Sequence, residues 1–290
     1  MWGNSGRDGA QVIRARLARA SDPVLAAGAV NAVAARVAAE AGFEALWMSG
    51  LELSASLGLP DSNVLTCRDL SDAVACVRRA SALPIVVDID NGGGTIDGVR
   101  RYAEELVHAG ATALCLEDSH YPKGNSFRTD RSQHLADESV VLDQIRHIRE
   151  VGSPDLLVIA RTEALIAGES VEVATARAEA YAKAGADAVL MHSRDRTGSQ
   201  ALQIASQWSW ATPLVCIPTS FPQISWKELG TAGFSMVIYA NQLARASLAA
   251  MRAAATEFMD HGAFESTPQQ RLSTVEDLIR LADPIATATV

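Results

Sequence analysis

The stretch Ile85-Val86-Val87-Asp88-Ile89-Asp90-Asn91-Gly92-Gly93-Gly94 joins an apolar, β-branched run to two carboxylates and a turn of three glycines. Alternate residues of a strand project to the same side, so Asp88 and Asp90 are expected to face one site. Glycine permits positive φ and lets a ligand or an ion approach the backbone closely. The stretch therefore predicts a buried strand that ends at a binding site.

A second apolar run, Ala113-Leu114-Cys115-Leu116, ends in Glu117 and Asp118. Three or four carboxylates at the ends of two buried strands cannot all stay ionised unless a cation joins them. Mg²⁺ is the natural candidate, because it prefers a few carboxylates together with water and substrate oxygens. The alternative is that these acids only cap the helices that follow them.

Short apolar runs alternate with longer, Ala-rich amphipathic segments along the chain. Strands are predicted at residues 23–29, 45–49, 84–88, 113–117, 156–161, 186–192, 213–218 and 235–239. Helices are predicted between them, for example at residues 31–41, 95–109, 137–151, 170–184 and 226–230. Repeated βα units of this number predict a (β/α)₈ barrel of the TIM type. The competing fold, an open doubly wound sheet, usually carries a glycine-rich phosphate loop after its first strand, and Gly28-Ala29-Val30-Asn31 lacks one.

The chain continues beyond the eighth predicted strand. Residues 241–261 predict a long Ala-rich helix. Residues 267–283 predict a second helical unit, capped by Thr267 and with Pro268 in its first turn. We expect one domain, with the catalytic barrel in residues 1–240 and a C-terminal helical arm in residues 241–290. The arm packs either on its own barrel or across a partner subunit.

The composition restricts the classes of function. The 290 residues are 48% hydrophobic and 20% charged, which is typical of a globular protein with ample core. The net charge of −9 argues against nucleic acid or an anionic membrane as a partner, although a local pocket can still bind a small anion. The four cysteines form no CxxC pair, and no signal peptide or membrane-spanning run is recognised. We therefore expect a cytoplasmic protein with reduced thiols.

Active sites of such barrels lie at the carboxyl ends of the strands, so the polar residues there are the site candidates. Arg161 ends the fifth strand, and its planar fork suits a carboxylate or a phosphate. A structural ion pair with Glu163 or Glu117 is the alternative. His192 ends the sixth strand; alone it is more typical of a structural histidine, but its coincidence with the acid cluster favours a functional role.

The longest polar loop, residues 119–134, follows the fourth strand and contains three Lys/Arg residues and two histidines. A long loop at the catalytic face of a barrel is typical of a lid that closes over the substrate. The alternative is a solvated surface loop.

Six motifs follow one another along the chain: W-M-S-G-L at 47–51, P-D-S-N at 60–63, D-I-D-N-G-G-G at 88–94, E-D-S-H-Y-P-K-G-N-S at 117–126, I-A-R-T-E-A at 159–164 and L-M-H-S at 190–193. Together they resemble the phosphoenolpyruvate mutase and isocitrate lyase superfamily, and most closely its phosphoenolpyruvate mutase and phosphonopyruvate hydrolase branch. The resemblance runs from about residue 11 to residue 280. It implies a (β/α)₈ barrel, Mg²⁺, small anionic 2-oxo-acid substrates, a gating loop, and a homotetramer whose C-terminal helices are exchanged between paired barrels.

The resemblance also implies a role for individual residues. Asp88 would bind the metal directly, and Asp90 and Glu117 would hold metal-bound water. The substrate site would consist of the backbone at Ser49, Gly50 and Leu51 on the pyruvoyl oxygens, Trp47 as a wall, Arg161 between the carboxylate and the phosphoryl group, His192 beside the phosphoryl group, Asp61 near phosphorus, and the lid residues Lys123, Asn125 and Ser126.

Two positions depart from the family pattern. Ser119 stands where the family usually has Lys, and Gly93 stands where an aromatic residue is usual. The first departure removes a cation near the metal shell, and the second opens space in a pocket wall. A shifted substrate or a barrel that binds its ligand without catalysis is therefore an alternative.

The lid sequence selects among the reactions of the superfamily. The resemblance implies a Cys in a Lys-Cys-Gly-His lid motif for carbon–carbon lyases, whereas this lid reads Lys123-Gly124-Asn125-Ser126. It implies Asn at the third lid position for mutases and Thr for hydrolases. The resemblance therefore favours an isomerase that interconverts phosphoenolpyruvate and 3-phosphonopyruvate, as in phosphonate biosynthesis, over hydrolysis of the phosphorus–carbon bond.

Overall fold

The structure is a computed structural model that describes residues 5–19, 22–128, 133–152, 154–263 and 272–283. Its parallel strands close into one barrel in chain order. The strands are β1 (Val24–Gly28), β2 (Ala45–Met48), β3 (Ile85–Asp88), β4 (Ala113–Glu117), β5 (Leu157–Thr162), β6 (Ala188–Met191), β7 (Leu214–Cys216) and β8 (Phe234–Tyr239). The predicted (β/α)₈ barrel is confirmed, and each predicted strand lies within three residues of its observed bounds.

Helices surround the barrel. They are α1 (Ser5–Leu17), α2 (Ala32–Glu40), α3 (Gly50–Leu57), α4 (Cys67–Ala80), α5 (Ile96–Ala109), α6 (Glu138–Gly152), α7 (Ala164–Ala167), α8 (Val171–Lys183), α9 (Ser199–Gln207), α10 (Trp226–Ala232), α11 (Gln242–His261) and α12 (Val275–Ala282). A short 3₁₀ turn, Gly92–Gly94, follows β3. No helix among the described residues is long and apolar enough to cross a membrane.

Two apolar layers hold the barrel together. The outer layer lies between the strands and the helices and includes Leu114 and Ile145. The inner layer fills the barrel with residues such as Trp47 and Ile159. These layers arise because alternate residues of each strand face opposite sides of the sheet, and both sides are covered.

Helix α1 covers the amino-terminal end of the barrel. Its residues Ala10, Ile13 and Leu17 are buried in the same cluster as the barrel interior. A β-carbon on Gly9 would lie 3.2 Å from Thr112 Oγ1, just before β4 begins. With this end covered, the carboxyl end is left as the place where side chains converge on a ligand.

The C-terminal arm differs in part from its prediction. Helix α11 matches the predicted helix at 241–261. The predicted second unit is shorter, because α12 begins at Val275 and is capped by Thr274 and Asp277 in a capping box. Thr267 and Pro268 lie outside the described residues.

Neither α11 nor α12 has a buried residue among those described. Their exposed apolar side chains include Leu248, Met251, Met259, Val275, Leu278 and Ile279. The end of α12 meets its own barrel where Arg36 of α2 donates a hydrogen bond to the Asp283 carbonyl. Most of the apolar surface of the arm is therefore not covered by its own barrel.

Alanine substitutions at two neighbouring glycines of the turn after β3 should differ sharply in how much stability they cost. Gly92 and Gly93 both have positive φ, 62° and 74°. A β-carbon on Gly92 would lie 2.1 Å from Val99 Cγ1, whereas one on Gly93 would meet nothing within 4 Å. We expect Gly93→Ala to cost roughly 1 kcal/mol, the backbone strain alone. Gly92→Ala should cost roughly 3 kcal/mol because it also displaces the core of α5. Urea unfolding measures both, and equal losses would contradict the packing at Gly92.

Candidate active site

Three carboxylates from two strand ends meet at the carboxyl end of the barrel. Asp88 ends β3, Asp90 follows it with a φ of 51°, and Glu117 ends β4. One oxygen from each lies within 4.8 Å of the others, and all three residues are buried. The prediction that Asp88 and Asp90 face the same site as Glu117 agrees with this geometry.

The electrostatics of these acids favour a cation between them. Burial raises the pKa of Asp90 to about 6, Lys123 lowers it, and Asp88 and Asp61 raise it further. Burial also raises the pKa of Glu117 to about 8, against the influence of Arg161. Glu117 Oε2 is buried and has no hydrogen-bond partner among the described residues. Oxygen donors in this arrangement suit Mg²⁺, so the residues fit the metal that the resemblance implies.

Lys123 enters the site from the loop after β4. Its ammonium contacts Asp90 and lies 3.0 Å from Asp61 Oδ1. Burial lowers the pKa of this amine, but the surrounding carboxylates, led by Asp90, hold it well above its usual range. Lys123 is therefore a buried, charged group that partly balances the acids.

Arg161 reaches the site from β5 and is paired on two sides. Its Nε donates to Glu163 Oε1 at 2.5 Å. Its Nη2 lies 3.4 Å from Glu117 Oε2, and its Nη1 lies 3.9 Å from Asp88 Oδ2. The structural ion pair with Glu163 is present, and it aims the guanidinium at Glu117 and Asp88.

His192 is held by the same ion pair. Its Nδ1 lies 2.8 Å from Arg161 Nη2 and 2.9 Å from Glu163 Oε1. Burial lowers the pKa of the imidazole, while Glu163 opposes that shift. Glu163 itself keeps a pKa well below its usual range, because Arg161 and His192 outweigh the effect of its burial. The histidine is therefore held against both the arginine and the acid that orients it.

The loop after β4 folds over this cluster, as a lid does. Asn125 Nδ2 donates to Asp61 Oδ2 at 2.5 Å. Ser126 Oγ donates to Glu163 Oε2 at 2.7 Å and accepts from Arg161 Nη2 at 3.1 Å. Residues 129–132 of this loop lie outside the described residues. The described part brings the predicted lid residues onto the predicted site.

The amino-terminal end of α3 forms another wall of the site. Ser49 is the N-cap of α3, and the buried Trp47 belongs to the barrel interior. A β-carbon on Gly50 would lie 3.3 Å from Asp90 Oδ1 and 3.7 Å from Asp61 Oδ1. The side chain of Leu51 is exposed. A helix start in this place offers backbone N–H groups and a positive dipole end to an anion.

Asp118 does not join the acid cluster, although the sequence placed it among the candidate carboxylates. Its Oδ1 accepts from the Glu163 amide at 2.7 Å. Its Oδ2 accepts from Thr162 Oγ1, Tyr181 and Arg177 at 2.6 to 2.8 Å. Adjacent strand residues face opposite sides, so Glu117 and Asp118 cannot both point inward. Asp118 instead supports the end of β5 from behind.

The two departures from the family pattern have local consequences. Ser119 Oγ donates to Glu117 Oε1 at 2.6 Å, so a neutral hydroxyl contacts this acid of the cluster. Gly93 has open space around its α-carbon. The first departure keeps Glu117 oriented without a positive charge, and the second leaves the turn without a side-chain wall.

Glu52 is a buried acid that the sequence reasoning missed. It is the last residue of the S-x-x-E pattern that begins at Ser49, a signal for a capping box. The reciprocal capping bond is made in α4, α10 and α12. Glu52 instead turns toward β1: a β-carbon on Gly28 would lie 2.8 Å from its Oε1. That oxygen has no hydrogen-bond partner among the described residues.

Burial raises the pKa of Glu52 to about 7, so its ionisation should destabilise the fold. The folded state holds this proton more tightly than the unfolded state, whose pKa is ordinary. Stability is therefore lost as the pH rises from about 4.5 through 7. We expect Glu52→Gln to raise the unfolding free energy at pH 8 by roughly 1–3 kcal/mol, and to raise it much less at pH 5. The exposed Glu40→Gln is the control in denaturant titrations, and a Glu52→Gln effect independent of pH would contradict the assignment.

Comparisons with known proteins place this geometry in a family. Residues 13–259 match the family model described as phosphoenolpyruvate phosphomutase. The chain is similar to phosphonopyruvate hydrolase of Variovorax sp. (strain Pal2), with 34% identity over 88% of this chain and 89% of the relative. It is also similar to phosphoenolpyruvate phosphomutase of Streptomyces hygroscopicus, with 39% identity over 78% and 72% of the two chains.

Solved structures show the same relationship. A phosphoenolpyruvate phosphomutase from Streptomyces platensis subsp. rosaceus superposes with a TM-score of 0.90 at 37% identity, covering 94% of each chain. A phosphonopyruvate hydrolase in complex with oxalate and Mg²⁺ superposes with a TM-score of 0.87 at 32% identity, again over 94% of each chain. The chain is therefore an enzyme of the phosphoenolpyruvate mutase/isocitrate lyase superfamily and belongs to its phosphoenolpyruvate phosphomutase family.

Proposed function

We propose that the enzyme is a phosphoenolpyruvate mutase, an isomerase that interconverts phosphoenolpyruvate and 3-phosphonopyruvate. The observation that supports this most directly is the position of Asn125. Its side-chain Nδ2 donates a hydrogen bond to Asp61 Oδ2 at 2.5 Å, at the point where the lid meets the site. An amide there can hold a phosphoryl group while the closed lid excludes water.

Asp88 would bind Mg²⁺ directly, and Asp90 and Glu117 would bind its water ligands. When bound, the metal neutralises the charge of the substrate and orients its oxygens. The buried acid triad supports this assignment. The start of α3 at Ser49 and Gly50 would bind the pyruvoyl oxygens through backbone N–H groups, with Trp47 as the wall beneath them.

Phosphoryl transfer passes through a loose, metaphosphate-like state, so the protein mainly positions groups and balances charge. Arg161 would bridge the carboxylate and the phosphoryl group, because Glu163 and His192 hold its guanidinium in place. Lys123, Asn125 and Ser126 would close over the phosphoryl group from the lid. Asp61 would lie near phosphorus, either accepting the phosphoryl group or guiding it electrostatically.

Hydrolysis of phosphonopyruvate to pyruvate and phosphate is the second candidate. The similarity to the Variovorax hydrolase favours it, and the Asp61 carboxylate could orient a water. Carbon–carbon lyase activity has less support, because residues 119–134 contain no Cys. The lid residue Asn125 favours the mutase over the hydrolase.

The metal assignment predicts a specific loss. Asp88→Ala should abolish activity while the fold persists, because a carboxylate ligand is removed from a site that two other acids and Arg161 still line. Excess Mg²⁺ should not restore the rate. Circular dichroism and turnover measure both effects, with the exposed Asp97→Asn as the control. Full wild-type activity in excess chelator would show that no divalent metal is needed.

We further propose a homotetramer in which the C-terminal helices, including α11 and α12, are exchanged between paired barrels. The exposed apolar side chains of these helices support it. Light scattering at micromolar concentration should give about four times the 30.7 kDa chain mass. A monomer mass under these conditions would contradict the exchange.

The choice of reaction depends on Asn125. Asn125→Ala should reduce conversion of phosphonopyruvate to phosphoenolpyruvate by roughly 10²–10³, since a lost transition-state hydrogen bond to a charged group is worth about 2–4 kcal/mol. Substrate binding should weaken less, because Arg161 and the start of α3 remain. Asn125→Thr should retain more activity, and any gain should appear as free phosphate.

Product identity is the decisive measurement for this proposal. Purified enzyme is incubated with phosphonopyruvate and Mg²⁺, and ³¹P NMR follows phosphoenolpyruvate and phosphate separately. His134→Ala, an exposed change in the same loop, serves as the control. If the wild type yields pyruvate and phosphate with no phosphoenolpyruvate at any time, the enzyme is a hydrolase instead.

A further inference from the structure

Asn63 occupies an unusual position between the lid and the metal carboxylates. It lies in the loop that joins α3 and α4, two residues after Asp61. Its φ is 57°, a left-handed conformation that Asn tolerates better than most side chains. This backbone conformation belongs to the turn that carries both Asp61 and Asn63 toward the site.

The carboxamide of Asn63 connects three segments of the chain. Its Oδ1 accepts from the backbone N–H of Lys123 at 2.6 Å. A backbone N–H can only donate, so the oxygen of the amide must face Lys123 and the nitrogen must face the other way. The nitrogen then donates to Asn91 Oδ1 at 3.2 Å and to Asp90 Oδ2 at 3.4 Å.

We propose that Asn63 is a positioning residue that aligns the root of the lid with the metal carboxylate Asp90. The proposal rests on the proposed function for the roles of the lid and of Asp90. Held at its amide, Lys123 places its ammonium between Asp90 and Asp61. Two residues further on, Asn125 reaches Asp61. One side chain therefore sets the starting point from which the lid residues reach the site.

The neutral character of Asn63 matters as much as its geometry. An arginine or lysine in its place would also pair with Asp90, but it would compete with a divalent cation for that carboxylate. An amide orients the carboxylate without adding positive charge. Asn91 extends the same arrangement, because its Nδ2 donates to the Ser119 carbonyl at 3.3 Å.

The test uses proteolysis of the lid, which does not depend on the reaction that is catalysed. Trypsin sites in the lid are Lys123, Arg128 and Arg131. Asn63→Gly keeps the left-handed backbone accessible and removes the carboxamide. We expect cleavage within residues 119–134 to become about fivefold to tenfold faster, as for the loss of one hydrogen bond at the lid root. The melting temperature should change by only a few degrees. Ser62→Ala, a change in the same loop, is the control and should behave as wild type.

A second variant tests whether the hydrogen-bond acceptor for the Lys123 amide, rather than the mere presence of a side chain at position 63, restrains the lid. Asn63→Asp keeps an oxygen for the Lys123 amide but loses the donor to Asp90 and Asn91. Its lid cleavage should be clearly slower than that of Asn63→Gly, because the hydrogen bond to the Lys123 amide is conserved. With saturating substrate and Mg²⁺, Asn63→Gly should lower kcat about as much as it accelerates cleavage, while Mg²⁺ affinity from calorimetry changes less than about twofold.

Three outcomes would overturn the proposal. The first is lid cleavage in Asn63→Gly no faster than in Ser62→Ala. The second is equal acceleration in Asn63→Asp and Asn63→Gly, and the third is acceleration of cleavage over the whole barrel. Failure of the proposed function would appear separately, as the absence of phosphoenolpyruvate among the products of the wild type.

Discussion

The balance of buried charge at the carboxyl ends of β3, β4 and β5 is the constraint on which the rest of the site depends. Carboxylates brought this close repel one another, and burial removes the water that would screen them. Arg161 and Lys123 neutralise part of this charge, Arg161 beside Glu117 and Lys123 beside Asp90. The remaining negative potential is what a divalent cation requires, and the two strand ends and the turn after β3 bring the acids together.

The arginine contributes because it is itself restrained. Glu163, His192 and Ser126 all contact its guanidinium or the acid that holds it. Behind them, Asp118 accepts hydrogen bonds from the Glu163 backbone amide and from the Arg177 side chain. Successive layers of hydrogen bonds thus transmit the rigidity of the barrel wall to the group that would contact the substrate, as preorganised catalysis demands.

The sequence predicted the structure well where a local rule, such as the periodicity of a strand, allows only one arrangement. The order of βα units led to the closed barrel. Asp90 faces the same site as Asp88 although it lies beyond the end of β3 with a φ of 51°, so its position depends on the turn as well as on the strand period. The alternation of side chains along a strand also shows that Asp118 must face away from Glu117. In the sequence analysis this was missed, because both acids were counted toward one site. Asn63 and Glu52 could not be placed in this way, because their contacts depend on how loops and neighbouring strands approach one another. The start of α12 at Val275 depends on a capping pair, Thr274 and Asp277, that the sequence reasoning did not consider.

Helix α1 closes one end of the barrel with Ala10, Ile13 and Leu17, so the two ends of the protein are chemically distinct. Helix α1 itself lies on the side opposite the acids and the lid. A tether or affinity tag attached ahead of α1 would hold the enzyme on a solid support with its substrate entrance directed away from that support. Attachment through the C-terminal arm would instead engage the apolar helices that remain uncovered by their own barrel.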